Sequence, residues 1–233
     1  MNNLKEILKT EFKFLCFKSV KPDLERLGTQ YLVFGVIAAW IAGVGRYWDN
    51  PRAEWWQYAG FGSVIYIVLM AFVLWLITKP LKPRNWSYRN VLIFVGMTSP
   101  PGILYAIPVE KFTTLPTAQM INVWFLAIVA IWRVTLWILY LKRAAQLKGH
   151  AVFIASILPL AIIVTTLSFL NLEHVVFNIM AGLTEDEKTA NDAAYGIVLL
   201  LTYFSVFASP VLFIAYLINI FRIHKKPKIK TSD

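Results

Sequence analysis

Residues 122–141 read NVWFLAIVAIWRVTLWILYL, an apolar run of span length with one charge, Arg133, near its middle. A helix crossing the hydrocarbon core needs about 20 apolar residues. In lipid, backbone groups must find their partners within the protein. A run of this kind commits the chain to a membrane helix. A charge at mid-depth costs about 2.5–3.5 kcal/mol on insertion scales. Arg133 therefore calls for compensation, and it marks depth for the rest of the chain.

Five other runs have comparable length: 28–44, 58–77, 91–109, 151–170 and 194–221. The run at 28–44 is the weakest, because it contains Thr29 and Gln30. The fold expected is an all-α, polytopic membrane protein: a six-span helical bundle with an amphipathic N-terminal helix. A basic amphipathic segment fills 1–27, the spans fill 28–222, and a basic tail fills 223–233. No room remains for a separate soluble domain. Hydrophobic residues make up 58% of the chain, against about 45–50% in soluble domains.

The net charge of +10 raises the question of nucleic acid, but its distribution points to a membrane instead. Segments on one side of the six spans carry six, four, three and five Lys and Arg, eighteen together. Those on the other side carry two, one and one, and Arg133 completes the 23. Such alternation is the positive-inside pattern. It places both termini in the cytoplasm and implies a plasma membrane or bacterial inner membrane. Cys16 is the only cysteine, so no disulfide forms within the chain. The first 30 residues show no cleavable signal pattern.

In residues 4–18, Leu4, Ile7, Leu8, Phe14 and Leu15 share one helical face, away from Lys5, Lys9 and Lys13. A basic helix of this type suits an anionic leaflet, and the basic tail suits it as well. Lys21-Pro22-Asp23 is expected to break that helix. In the first span Gly35, Ala39 and Gly43 form a small-residue stripe that admits a close helix neighbour. The neighbour lies within this chain or, less simply, in a second copy. The loop after it is rich in Trp and Tyr, as a membrane interface is, and spacing lets Arg46 and Asp49 pair. Residues 175–183 read as a helix on the outer surface, and 184–192 as an acidic solvated loop.

Three spans carry prolines: Ser99-Pro100-Pro101-Gly102 in the third, Pro159 in the fifth and Ser209-Pro210 in the sixth. Each proline removes a donor and strands a carbonyl one turn back. All three fall near the depth of Arg133. No Asp or Glu lies inside a span, so backbone carbonyls are the compensation available within the chain. Arg133 then has two readings. Either these carbonyls and the serines satisfy it, or Arg133, Ser99, Pro100, Ser209 and Pro210 surround a midplane site for an anionic group. The second reading gains from symmetry. Ser99-Pro100 with Tyr105, and Ser209-Pro210 with Tyr216, would occupy equivalent places in two inverted halves. A second polar set lies towards the outer side: Arg46, Asp49, Glu110, Glu173 and His174. None of it has metal-ligand or acid–base spacing, and a solvated face is the simpler account.

Phosphate-binding, dinucleotide, nucleophile-elbow, CxxC and potassium-filter motifs are all missing from the sequence. No cofactor, metal or nucleic acid is therefore expected. The functional expectation is a non-enzymatic accessory or scaffolding membrane component, with a membrane-protein partner or a homo-oligomer. The alternative is a small transporter or channel with its anion site at Arg133 and the proline-broken helices. A membrane enzyme using the outer carboxylates comes last.

Overall fold

A computed structural model describes residues 2–48, 53–170 and 193–225. The expected surface helix at 175–183, the acidic loop after it and the basic tail from 226 onward lie outside the described residues.

Among those residues the chain is helical, with no strand. In order come α1 (Asn2–Leu15), α2 (Leu24–Tyr47), α3 (Trp55–Tyr58), α4 (Phe61–Thr78), α5 (Tyr88–Met97), α6 (Leu115–Arg143), α7 (His150–Phe169) and α8 (Ala193–Lys225). Three-residue-per-turn helix forms at Lys79–Leu81, Pro100–Ala106 and Val109–Lys111. Five helical stretches are long and apolar enough to cross a membrane: Leu24–Tyr47, Phe61–Leu81, Met120–Arg143, His150–Phe169 and Leu199–Lys225. Tyr88–Met97 and Pro100–Lys111 pass the same test as a pair, bent by 42°.

Local chemistry sets the starts. The Asp23 carboxylate accepts from the Arg26 backbone N–H at 3.0 Å and caps α2. The Ser87 hydroxyl does the same for α5 through Asn90, at 3.2 Å. Gly60 precedes α4 with φ +70, and a Cβ there would sit 2.8 Å from the Trp40 carbonyl. Only glycine accepts both conditions.

The core lies where α4, α5, α6 and α7 meet. Leu136 and Leu141 of α6 are buried there beside Phe94, Ala71, Ala155 and Leu158. Phe94 stacks on Tyr140 with ring centroids 4.3 Å apart. The outward faces are apolar too: Leu69 is 59% exposed and Phe207 74%. Contiguous apolar surface on this scale is foreign to soluble monomers and fits a lipid solvent.

The small-residue stripe of α2 is filled within the chain. A Cβ on Gly35 would meet the Gly96 backbone of α5 at 2.9 Å, and one on Gly43 would meet the Gly60 carbonyl at 2.9 Å. Ala39 is buried between them.

α1 differs from expectation in two ways. It stops at Leu15, before Lys21-Pro22-Asp23, because Phe17 turns left-handed at φ +60. The Lys18 N–H then closes back on the Lys13 carbonyl at 2.9 Å, a helix-ending loop that usually uses glycine. Tertiary contacts hold Phe17 there instead. Its carbonyl accepts from the Arg143 guanidinium at 2.8 Å, and its ring lies 5.8 Å from that of Trp132. The apolar residues of α1 also divide between two faces. Ile7 packs on Leu27, Tyr31, Ile93 and Met97, and Phe14 meets Phe94 edge-on at 5.8 Å. Leu4, Leu8 and Phe12 point outward, next to the exposed Lys5, Lys9 and Lys13.

Candidate functional site

The third apolar run breaks where its prolines dictate. Pro100 and Pro101 together remove two consecutive donors, although Ser99 before them keeps right-handed helical dihedrals, φ −81 and ψ −31. α5 ends at Met97, and the chain continues as the tighter turn Pro100–Ala106. The Thr98 hydroxyl covers the Val95 carbonyl at 2.7 Å. The Thr98 carbonyl accepts from Arg133 Nε at 3.1 Å. This carbonyl stands at the negative end of α5, a favourable place for a cation.

Arg133 is half-buried. Its guanidinium carbon lies 5.8 Å from the Tyr66 ring of α4. Nη2 is 3.7 Å from the point a Cβ on Gly102 would occupy, so the glycine after the prolines leaves room for the charge. Arg46, in the last turn of α2, sits 5.0 Å from the Tyr105 ring and 5.8 Å from that of Tyr47. These separations fall within cation–π range. Both arginines stand against the segment Pro100–Ala106, Arg133 beside Gly102 and Arg46 over the Tyr105 ring. Four elements thus bring two cations and three phenols around the broken helix.

The compensation expected for Arg133 is only partly delivered. Pro159 strands the Ala155 carbonyl, but the Trp137 indole N–H takes it at 3.0 Å. Pro210 strands the Val206 carbonyl, which accepts from the Ser209 hydroxyl at 3.3 Å. Those two prolines therefore offer Arg133 nothing. Beyond the Nε bond to Thr98, its N–H groups meet no acceptor among the described residues. No carboxylate among them pairs with it.

Of the residues read from sequence, the structure brings Arg133, Ser99-Pro100 and Arg46 into one region. The Ser99 hydroxyl is buried there without a partner. Ser209 is turned to its own helix and Pro210 is exposed. α8 runs helical through both and packs chiefly on α7. Tyr216 likewise parts company with Tyr105: its hydroxyl donates to the Ile77 carbonyl at 2.8 Å. Glu110 is exposed and accepts from the Asn122 side chain at 2.6 Å. Asp49, Glu173 and His174 lie outside the described residues. Among those described, no three His, Cys, Asp or Glu side chains converge.

Tyr66, Gly102 and the inward role of Arg46 escaped the sequence reading. Arg46 follows the apolar run and so reads as a loop charge, although α2 continues through Tyr47. Side chains tilt toward the N-terminus of their helix, and that was the available hint that Arg133 reaches towards the level of Arg46. No family model matches the chain, and neither a curated protein nor a solved structure matches it.

Proposed function

We propose that the chain is a non-enzymatic, six-span membrane protein with both termini cytoplasmic, which binds an anion between Arg46 and Arg133 and passes it across the bilayer as a small transporter or channel. The observation that carries this reading is the guanidinium of Arg133, half-buried at a helix break with one carbonyl as acceptor, and a second arginine, Arg46, over Tyr105 of the same broken segment. Charge inside a membrane protein by default marks a ligand path, and a broken helix lining a cavity is a recurrent place for one. The small-residue stripe of α2 is filled by α4 and α5, so it adds no support to a partner-binding, accessory role.

The test uses the purified full chain, with chloride, inorganic phosphate, sulfate and succinate as probes. At least one should raise the thermal unfolding temperature and enter proteoliposomes. Arg133→Leu keeps bulk and removes charge. It should fold and lose both effects, with affinity falling about tenfold or more, the worth of one charge-assisted bond. Arg133→Lys should retain part of them. A folded Arg133→Leu variant that responds like the parent overturns the reading, as does a parent indifferent to all four anions.

A further inference from the structure

A cavity of about 1100 Å³ opens between the end of α1, the 18–25 linker, the 84–90 segment and the last turns of α6. Its lining includes Lys18, Lys21, Arg84, Arg89 and Arg143, against the carboxylates Asp23 and Glu25. Asp23 is already engaged by Arg26, through backbone and side chain at 3.0 and 3.2 Å. The three arginines are held by neutral acceptors: Arg84 by the Gln146 amide at 3.2 Å, Arg89 by the Thr29 hydroxyl at 2.9 Å, Arg143 by the Phe17 carbonyl at 2.8 Å. Each is thereby oriented without being neutralised. The cavity is a positive site built in advance.

Its walls change character with depth. On α5 the lining runs from Arg89 and Asn90 to Ile93, Phe94 and Met97; on α6 it runs from Arg143 to Tyr140, Leu139 and Leu136. At 1.5 Å per residue these walls are about 10–12 Å deep. Both helices grade from charged to apolar in the same direction, and the Phe94–Tyr140 stack forms part of the floor. A free inorganic anion has no use for that floor. A lipid has the same gradient: phosphate above, acyl chain below. α1 adds a second observation, since its exposed Leu4, Leu8 and Phe12 beside Lys5, Lys9 and Lys13 suit the headgroup layer.

We infer that this cavity is a binding site for an anionic phospholipid, with the phosphate among Arg89, Arg143 and the linker lysines and an acyl chain along Ile93, Met97, Leu136 and Leu139. Basic pockets between membrane helices recognise headgroups in this way. The site differs from the arginine pair and stands independently of the transport reading.

The experiment places the full chain in phosphatidylcholine nanodiscs and titrates phosphatidylglycerol, reading bound lipid by native mass spectrometry and stability by thermal unfolding. Phosphatidylglycerol should be retained at about one per chain and raise the unfolding temperature. Soluble sn-glycerol 3-phosphate at equal concentration should do neither. Lys18→Gln with Lys21→Gln disturbs no structural bond, and Arg89→Gln is a second charge variant; each should weaken retention about fivefold or more, at roughly one basic contact's worth per residue. Leu139→Trp fills the apolar part, leaves every charge in place and should abolish retention. Equal retention of phosphatidylcholine, full protection by glycerol phosphate, or unchanged retention in folded variants overturns the site.

Discussion

Glu11 sits on the inward face of α1, 4% exposed, with neither carboxylate oxygen bonded. Burial pushes its pKa up from the usual 4.5 to about 8. Between those values the folded chain holds a proton that the unfolded chain has lost. Stability from docking α1 is therefore complete below about 4.5 and declines as pH rises through about 8. Glu11→Gln keeps the shape without the ionisation. It should match the parent near about pH 5 and hold α1 more firmly near about pH 9, by about 1–3 kcal/mol or more, the cost of an unsatisfied buried group. Hydrogen exchange across α1 at the two pH values reads the difference. Parent docking that strengthens with pH would refute the assignment. Residue by residue, the chain was unevenly legible. Arg133 announced itself because a charge inside an apolar run has one meaning. Glu11 did not, because its neighbours Lys9 and Lys13 suggest a solvated face, and only the packing of Ile7 turns it inward.

At the scale of elements, two helices with the same Ser-Pro signal behave differently. Pro210 strands one carbonyl, the preceding serine covers it, and α8 continues. Pro100-Pro101-Gly102 removes too much at once, and α5 ends. Sequence reading saw the proline in each case but could not see which carbonyl would find a donor, because the donors include side chains such as Trp137 from another helix. The small-residue stripe was more legible, since close approach needs small residues at helical spacing whatever the partner. Its consequence is testable. A Cβ on Gly35 meets backbone, which cannot swing aside, so Gly35→Val should force α2 and α5 apart at a cost of about 1–3 kcal/mol. Gly62→Ala is the control, because its Cβ meets nothing nearer than a Trp56 ring atom at 3.5 Å. A Gly35→Val variant that melts with the parent in detergent would mean that the crossing is looser than described.

The whole molecule turns on whether the broken element crosses the bilayer or turns back. Ten residues of α5 supply about 15 Å, and seven of the following tighter helix about 14 Å. Together these approach the hydrocarbon thickness of about 30 Å even with a bend. The contacts at its two ends agree. Arg84, before α5, bonds the Ala145 carbonyl and the Gln146 side chain after α6, at 2.9 and 3.2 Å. Glu110, after the break, bonds Asn122 near the start of α6. A re-entrant element would bring both its ends to one face and send Lys142, Arg143 and Lys148 to the side that is otherwise poor in cations. Crossing keeps them with the basic segments. Crossing is thus what the proposed topology requires, six spans with α1 on the basic, cytoplasmic side. Phe112, 78% exposed just past the break, should lie outside. In intact cells an impermeant thiol reagent should label Phe112→Cys in a Cys16→Ser background. Native Cys16, exposed at the end of α1, should react only after permeabilisation. Labelling of Cys16 in intact cells would reverse the orientation. Protection of Phe112→Cys, with Lys82→Cys behaving the same way, would turn the broken span into a re-entrant loop and take the arginine pair out of any path across the membrane.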